Sequence, residues 1–272
     1  MSDIVLTAGV RSNLLQLQQT SDLITQTQTR LATGKRVNSA LDNAINFFTA
    51  QGLDNRANDL SSLLDSMSNA INTIQAANNG ITAITKLVQS AQSLVSQANQ
   101  TADTTARATL AGQFDALMTQ IGQLAGDSGF NGVNLLKGDT LTVNFNEDAS
   151  SSTTVTGVDY TNAQSGLSIN NSTNNWADSA AIAVSGTALS AALTTLRGES
   201  QSLGANLSTV QIRQDFTKAT INTLQTGSAS LTLADSNEEG ANLLALQTRQ
   251  QLSTTALSLA SQADQNVLRL FQ

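Results

Sequence analysis

The sequence predicts a mainly α-helical protein: a long antiparallel coiled-coil helical bundle with a small β-hairpin region and paired terminal helices. Three observations support this fold class. Apolar residues recur at alternating steps of three and four in several long stretches, which is the spacing of a coiled-coil seam. The chain of 272 residues has no proline, and a proline inside a helix costs roughly 3 kcal/mol. Only the middle of the chain is rich in Ser, Thr, Asn and Gly instead.

The first helix is expected from about Ser12 to Thr33. Ser12 or Asn13 can cap it, because a short side-chain oxygen accepts a hydrogen bond from an unpaired backbone N–H. Gly34 follows at a position where helices commonly end on a left-handed residue, and an irregular link is expected up to Asn43. The stripe of this helix comprises Leu14, Leu17, Ser21, Ile24, Gln28 and Leu31.

The second helix, from about Ala44 to Gln100, is predicted to be the longest. Its apolar seam continues over several heptads, which indicates a coiled coil and not a broad globular face. Gly80 interrupts the seam at a cost of about 1 kcal/mol relative to Ala. The seam consists of Leu60, Leu64, Met67, Ile71, Ile74, Ala77, Ile81, Ile84, Val88, Ala91, Val95 and Ala98.

A third helix is expected from about Thr105 to Leu124, with one apolar face. The polar segment that follows, Asp139 to Thr187, is expected to form a small β-hairpin region or a mobile surface loop. Alternation of apolar and polar residues is typical of a half-exposed strand. It predicts strands around Leu141, Val143 and Phe145 and, more weakly, at Thr153–Tyr160 and Ala181–Ser185.

The fourth long helix is expected from about Ala188 to Leu231, on a seven-residue repeat. The last helix begins near Asn237, a candidate cap. Asp235, Glu238 and Glu239 are interpreted as its solvated first turn, where the helix dipole favours anions. The C-terminal stripe comprises Leu252, Ala256, Leu259, Ala263, Val267 and Leu270 and continues to Phe271.

These elements predict three regions. Residues 1–43 and 233–272 form a terminal coiled-coil domain in which the two end helices pair. Residues 44–138 and 188–232 form the helical bundle with its β-hairpin, and residues 139–187 form a short variable surface insertion. Because the chain leaves through the bundle and returns, both termini are expected at one end.

Composition excludes several classes of function. The formal net charge is -7, and nucleic-acid binding needs a basic patch that releases counterions. The chain has no Cys and no His, so zinc sites lack their usual ligands and no Cys–His or Ser–His pair is available for catalysis. We therefore expect no enzyme activity, no metal and no cofactor. No run of about 18 apolar residues indicates a membrane span, and the first twenty residues do not indicate a cleaved signal peptide.

Three segments resemble bacterial flagellins. Arg30–Asn43, RLATGKRVNSALDN, resembles the RLSSGxRINSAxDD segment of that family. Phe130–Leu136, FNGVNLL, is similar to its FNGVxLL segment, and Ala263–Phe271, ADQNVLRLF, is similar to its C-terminal AxQxxQNVLxLL segment. The matches occur in the family's order and at its distances from each end, and the resemblance covers about the first 136 and last 85 residues.

The resemblance implies a structural subunit that polymerises into the flagellar filament and serves swimming motility. The implied partners are copies of the same chain, the flagellar export apparatus, an export chaperone, the filament cap and the hook-junction proteins. The implied location is extracellular, in the filament, after export of the unfolded chain. The large outer domains of many family members are expected to be missing, because the insertion at about 139–187 is short.

The two terminal stripes are the expected polymerisation surface. Some stripe residues are polar or small and bury little apolar surface. Isolated helices of this length are also marginally stable in water. Residues 1–33 and about 237–272 are therefore expected to be disordered in the monomer and to fold when they pack against neighbours. The alternative is a plain intramolecular coiled coil.

Two further sets of residues are candidates. Gly34, Asn38 and Asp42 are expected to shape the elbow that follows the first helix, since Gly and Asn tolerate positive φ; the alternative is an ordinary loop. The family's innate immune receptor segment, QRxRELAxQ, aligns with Gln89–Gln97. Here Gln89, Leu94 and Gln97 match, whereas Ser90 and Gln92 replace two arginines. Neither side chain has the charged, planar guanidinium group of Arg with its several hydrogen-bond donors. Weak or no receptor activation is therefore expected.

Two other functions remain open from the sequence. A hook–filament junction protein would share similar ends, although the close Arg30–Asn43 and FNGV matches favour the filament subunit. A soluble coiled-coil adaptor would form a discrete oligomer with one partner.

Overall fold

A computed structural model describes the backbone of residues 8–270 and the side chains of residues 8–263, 265 and 266. The described chain is mainly helical with one small antiparallel sheet, so the predicted fold class is confirmed. The helices are α1 (Ala8–Thr33), α2 (Ala40–Gln100), α3 (Thr104–Asp127), α4 (Ala163–Gly166), α5 (Ser179–Thr232) and α6 (Ser236–Leu270), with a short 3₁₀ helix at Thr173–Trp176. The strands are β1 (Thr140–Asn144) and β2 (Ser152–Thr156).

The regular part of α2 begins after Asn43, close to the predicted start. Asn43 has extended backbone angles, and its side-chain oxygen accepts a hydrogen bond from the backbone N–H of Asn46 at 3.0 Å. This is the arrangement of an N-cap residue. The segment from Ala40 to Asn43 therefore leads into the long helix and is not continuous with it.

The chain divides into two compact units, which we call the terminal unit (Met1–Asn55 with Thr223–Gln272) and the central unit (Arg56–Asn222). The boundaries between these units fall within α2 and α5. The predicted boundaries lie instead at the break after Asn43 in α2 and at the end of α5 after Thr232. The division into functional domains stays a prediction.

The predicted seam of α2 forms the core of the central unit. From Met67 to Ala98 the seam positions are buried, apart from Ile71, which is half-buried. α2 and α5 run antiparallel, because Ser200 bonds Asn78 whereas Gln214 bonds Ser68, at 2.8 and 2.9 Å. The buried face of α3 completes this core with Ala111, Phe114, Met118, Ile121 and Ala125.

Gly80 is a requirement of this packing and not merely an interruption of the seam. A Cβ atom at Gly80 would overlap the side chain of Ser128 and approach the Cδ1 atom of Leu136 to 2.7 Å. α2 therefore needs its one buried glycine at the point where the end of α3 and the segment after it cross the helix.

The β-hairpin is present, with Thr140 opposite Thr156 and Asn144 opposite Ser152. Other parts of the segment 139–187 contribute side chains to the core of the central unit. Tyr160 and Trp176 are fully buried in the core of the central unit, and the Trp176 ring lies 5.0 Å from that of Phe114. Burial raises the pKa of Tyr160 to about 12.

The strand predicted at Ala181–Ser185 is wrong, because these residues belong to the first turns of α5. The carboxylate of Asp178 accepts a hydrogen bond from the backbone N–H of Ala181 at 2.7 Å and starts the helix early. Ser185 is held inside by the Trp176 Nε1–H, which donates to its hydroxyl at 3.1 Å. The short alternation of apolar and polar residues that predicted a strand therefore belongs to the start of a helix.

Candidate assembly surface

The candidate functional site is the pair of helices α1 and α6, which pack against each other. On α1 the residues buried in this contact are Val10, Thr20, Ile24 and Thr27, and Leu17 is half-buried. Two of the four buried side chains are therefore threonines. The hydroxyl of Thr20 donates to the carbonyl of Gln16 in its own helix at 2.8 Å, so it adds no bond between the helices.

The α6 side of the contact buries even fewer side chains than the α1 side. Among the described side chains of α6 only Glu239 is buried. The others facing α1 are half-buried and include a glutamine and a serine. They are Leu243, Leu246, Gln250, Ser253, Leu257 and Ala260, again at steps of three and four. A contact with so few buried apolar groups stabilises the helices only weakly.

The structure distributes the predicted terminal stripes over two faces. Leu17 and Ile24 face α6, whereas Leu14 and Leu31 are exposed. On α6 the predicted positions Leu252, Ala256, Leu259 and Ala263 are all exposed, and the contact uses the neighbouring residues 253, 257 and 260. The side chains of Val267 and Leu270, and Phe271 as a whole, lie outside the described residues.

α6 therefore has two apolar faces. Leu243, Leu246 and Leu257 are half-buried together with Ser253 and Ala260, whereas the predicted stripe is on the exposed side. The assignment of the exposed stripe to contacts between subunits stays a prediction.

Both helices of the terminal pair expose large apolar side chains on stretches that are nearly free of charge. α6 exposes Leu244, Leu252 and Leu259, and α1 exposes Leu15 and Leu23. Between residues 240 and 262 the only charged residue is Arg249, and between residues 12 and 29 it is Asp22. Large exposed apolar side chains on such weakly charged helices are typical of a protein–protein contact. Leu15, Leu23 and Leu244 were outside the predicted stripes.

An ion pair joins the end of α1 to the first turn of α6. Arg30 Nη1 lies 3.1 Å from Glu239 Oε1, and the two side chains are 27% and 8% exposed. The Nε atom of Arg30 is buried without a hydrogen-bond partner. The interpretation of Glu239 as a solvated first-turn residue is therefore wrong, although Glu238 is exposed as expected. A buried pair of this kind can fix the register of two helices.

The elbow residues Gly34, Asn38 and Asp42 lie close together after α1. Gly34 has φ +65°, in the left-handed region, and the Asn38 side-chain amide donates to the carbonyl of Lys35 at 2.9 Å. The Asp42 carboxylate accepts the backbone N–H groups of Asn38 and Ser39, both at 3.0 Å. These two bonds hold the pKa of Asp42 below its usual value. Asn38 itself does not adopt positive φ.

The same link pairs with the chain that leads into α6. Arg36 N–H donates to the carbonyl of Thr232 at 2.7 Å, and Ala234 N–H donates to the carbonyl of Gly34 at 3.0 Å. Val37 is buried, and its N–H also donates to the carbonyl of Thr232 at 3.2 Å. The predicted irregular link is thus a hydrogen-bonded junction between two segments far apart in sequence.

A further group of exposed apolar side chains begins within the elbow, next to Asp42. Leu41 is 98% exposed, and Ile45 and Phe48 are also exposed. Ile45 and Phe48 lie on one face of the regular part of α2, whereas Leu41 precedes the break at Asn43. The sequence did not single them out, because Leu41 lies in the Arg30–Asn43 segment that carries the family resemblance and the other two lie outside the predicted seam.

The segment aligned with the immune receptor patch is a neutral surface of α2. Gln89, Ser90 and Gln97 are exposed, whereas Gln92 and Leu94 are half-buried. The hydroxyl of Ser90 donates to the carbonyl of Lys86 at 3.0 Å within the helix. No guanidinium stands at these positions.

The described part of the chain offers no group of three His, Cys, Asp or Glu side chains that could hold a metal ion. α5 contains an 18-residue window of mean hydropathy 1.4 and is apolar enough to cross a membrane by composition alone. Its apolar residues Ile182, Leu189, Leu196, Leu203 and Val210 are buried in the core of the central unit, which accounts for this composition.

A protein with a packed helical unit and an uncovered, almost uncharged terminal helix pair belongs to the class of structural subunits that assemble with other copies. Comparisons with known proteins specify the family. Residues 7–140 match the bacterial flagellin N-terminal helical region, and residues 187–271 match the bacterial flagellin C-terminal helical region. The chain belongs to the bacterial flagellin family.

Relatives resemble the chain along its whole length. It is 31% identical to flagellin FljM of Caulobacter vibrioides over 275 residues, covering 100% of this chain and 99% of that protein. It is 26% identical to a flagellin of Brucella melitensis over 284 residues, with 100% of both chains covered. The crystal structure of Bacillus cereus flagellin resembles it with a TM-score of 0.47 and 20% identity, over 57% of this chain and 88% of that one.

Proposed function

We propose that the chain is a structural subunit of the bacterial flagellar filament and that its terminal helices hold the filament together. The observation that carries this proposal is the set of exposed leucines on α1 and α6 in a chain whose two ends match the flagellin family. Many copies packing through such faces form a helical polymer, which transmits torque as a propeller during swimming.

The proposed mechanism couples folding of the terminal helices to docking. α1 and α6 have 26 and 35 residues, and helices of this size without a substantial packed face are marginal in water. Leu14, Leu31, Leu252, Ala256, Leu259 and Ala263 would be covered by neighbouring copies in the filament, and we propose the same for Val267, Leu270 and Phe271. The burial of these apolar side chains on docking then offsets the conformational entropy that is lost when the two helices become ordered.

Seeded polymerisation of the purified protein tests this function. We expect addition of short filament fragments to produce long helical tubes in the electron microscope. A hook–filament junction protein would add to the seeds without elongating them. A coiled-coil adaptor would remain a discrete oligomer at every concentration, and either outcome would contradict the proposal.

We propose that the subunit reaches the filament by export in an unfolded state, with an export chaperone, the hook-junction proteins and the filament cap as further partners. A chain without cysteine carries no disulfide to break before passage. Expression in a motile host that lacks its own flagellin should place the protein outside the cell and restore filaments. Equal release from a strain with a defective flagellar export apparatus would contradict this route.

We further propose that the surface Gln89–Gln97 activates the innate immune receptor for flagellins weakly or not at all. Ser90 and Gln92 lack the charge and the fork of an arginine side chain. In a receptor reporter assay the unmodified monomer should give little response, and the double variant Ser90→Arg with Gln92→Arg should give more. A strong response from the unmodified monomer would contradict the proposal.

A further inference from the structure

The chain contains two asparagines that are directly followed by glycine, Asn79–Gly80 within α2 and Asn131–Gly132 after α3. In such a pair the backbone nitrogen of the glycine can attack the side-chain amide carbon of the asparagine, because glycine has no Cβ atom to hinder the approach and leaves the backbone free to rotate. The same dipeptide occurs here in two different structural settings, so the structure decides which of the two is reactive.

Asn131 and Gly132 form the tip of a tight turn. Their φ angles are +49° and +83°, both in the left-handed region. The backbone groups of Phe130 and Val133 exchange two hydrogen bonds across the turn, at 2.9 and 3.0 Å. Two central residues with positive φ are typical of a type I′ turn, for which Asn–Gly is a preferred sequence. We call residues 130–133 the FNGV turn.

The two reacting groups of the FNGV turn are open to solvent. Asn131 and Gly132 are both exposed, and a Cβ atom added to Gly132 would meet no other atom within 4 Å. Among the described residues, none accepts a hydrogen bond from the Gly132 N–H. Only the two hydrogen bonds of the turn therefore restrain rotation of the peptide group that contains this nitrogen.

Asn79–Gly80 is restrained much more strongly. Gly80 is buried in the middle of α2, and the side chains of Ser128 and Leu136 pack against it. In a regular helix the N–H of each residue bonds the carbonyl four residues earlier, so the Gly80 nitrogen can turn towards the Asn79 side chain only if the helix opens. Opening a packed helix costs more free energy than opening an exposed turn.

We propose that Asn131 is a site of spontaneous deamidation and isomerisation. After a transient opening of the FNGV turn, the Gly132 nitrogen loses its proton and forms a bond to Cγ of Asn131, and the side-chain nitrogen leaves as ammonia. The product is a cyclic succinimide. Water then breaks one of the C–N bonds of the ring, which leaves either an aspartate or an isoaspartate at position 131. The reaction needs no oxidant or reductant, and solvent water is its co-reactant.

Isoaspartate changes the turn more than aspartate does. In isoaspartate the main chain runs through the former side-chain carbon, so the backbone between Phe130 and Val133 gains one methylene group. The two hydrogen bonds between these residues fit a turn of fixed length and cannot both persist. The next residue, Asn134, is buried and caps α3, because its amide donates to the carbonyls of Ala125 and Gly126, both at 2.8 Å. We expect the longer turn to disturb this cap.

The first test follows both asparagines in the unmodified monomer. Folded protein and protein unfolded in urea are incubated side by side at mildly alkaline pH, and peptide mass spectrometry measures the replacement of the side-chain amide by a carboxyl group at each site. In the folded protein Asn131 should react at least about tenfold faster than Asn79. In urea the two sites should react at similar rates, because the dipeptide is the same and a β-branched residue follows it in both places.

The second test separates the lengthened backbone from the added charge. Protein isoaspartate methyltransferase detects the isoaspartate form in the incubated monomer, and chromatography isolates it. Its thermal unfolding should be shifted to lower temperature by about 2–4 °C. The matched control is freshly prepared Asn131→Asp, which has the same charge and a backbone of normal length and should unfold close to the temperature of the unmodified protein.

Two results would overturn the site at Asn131. One is equal reaction of Asn131 and Asn79 in the folded monomer, and the other is an Asn131 that stays intact while the sample in urea reacts. An isoaspartate form that unfolds at the same temperature as Asn131→Asp would refute the effect on the cap of α3. Both tests use the monomer, so they are independent of whether the chain forms filaments.

Discussion

The central unit and the terminal unit are both helical, yet they bury very different groups. The central unit encloses Trp176, Tyr160, Phe114 and a long file of Ile, Met and Val residues from α2. The contact between α1 and α6 encloses Val10, Ile24 and two threonines, together with a largely buried ion pair. The central unit therefore has the larger core and can stabilise the isolated subunit, and we propose that the exposed apolar side chains of the terminal unit contact neighbouring copies.

The largest expected effect comes from shortening the terminal unit. Deletion of the residues after Gln262 removes the end of the C-terminal stripe and should abolish polymerisation. The central unit has its own core, so most of the helical circular dichroism and its unfolding transition should be retained. Filaments of normal length from this variant would contradict the division between the two units.

A matched pair of substitutions compares the two cores directly. Ile84→Ala leaves a cavity in the central unit and should lower the free energy of unfolding by about 2–5 kcal/mol. Ile24→Ala makes the same change in the terminal unit. If the terminal helices are open in the dilute monomer, the monomer should lose less than about 1 kcal/mol, and the defect should appear in polymerisation instead. Denaturant unfolding of both monomers measures the difference, and equal losses would refute the comparison.

The Arg30–Glu239 pair provides a smaller test within the terminal unit. Glu239→Gln leaves the guanidinium of Arg30 without its charged partner, and breaking a buried pair is costly. We expect a several-fold rise in the critical concentration without a change in the unfolding transition of the central unit. Glu238→Gln, which alters the exposed neighbour, is the control; identical behaviour of the two variants would show that the pair does not set the register.

The smallest expected effects are two pH dependences of opposite sign within the central unit. Burial raises the pKa of Glu199, so its contribution to stability is full at low pH and is lost as pH rises through the folded-state pKa. Glu199→Gln should therefore stabilise the unit near neutral pH and have no effect near about pH 3.

Glu147 is compared with Glu199 because its pKa is shifted in the opposite direction. Hydrogen bonds from its own backbone amide and from Arg56 lower its pKa, so its contribution is present at neutral pH and is lost as pH falls through the folded-state pKa. Glu147→Gln should destabilise the unit near neutral pH, and the difference should fade in acid. Thermal unfolding of both variants across pH measures the two signs, and slopes of the same sign would contradict this assignment.

The sequence was sufficient to predict the buried face of a helix where a single hydrophobic repeat dominated. The seam of α2 was predicted almost residue by residue, because a long heptad repeat leaves one face for the core. The sequence was ambiguous where a helix had two apolar faces, as in α6, since the step between neighbouring stripes is a single residue. Only the packing of Ser253, Leu257 and Ala260 against α1 identifies the inner face.

The other features that the sequence did not predict depend on contacts between residues that are distant in the chain. Tyr160 and Trp176 stand in a polar segment, and nothing in their immediate sequence indicates that both fill the central core. Glu239 is one of two adjacent acidic residues, and only its approach to Arg30 distinguishes it from Glu238. The necessity of Gly80 likewise follows from Ser128 and Leu136, which cross α2 from elsewhere in the chain.

Amide hydrogen exchange on the dilute monomer and on the assembled filament tests the central claim most directly. We expect the amides of 8–33 and 236–262 to exchange rapidly in the monomer, those of the α2 seam to be strongly protected, and both sets to be protected in the filament. Strong protection of the terminal helices in a monomer that never polymerises would contradict the account.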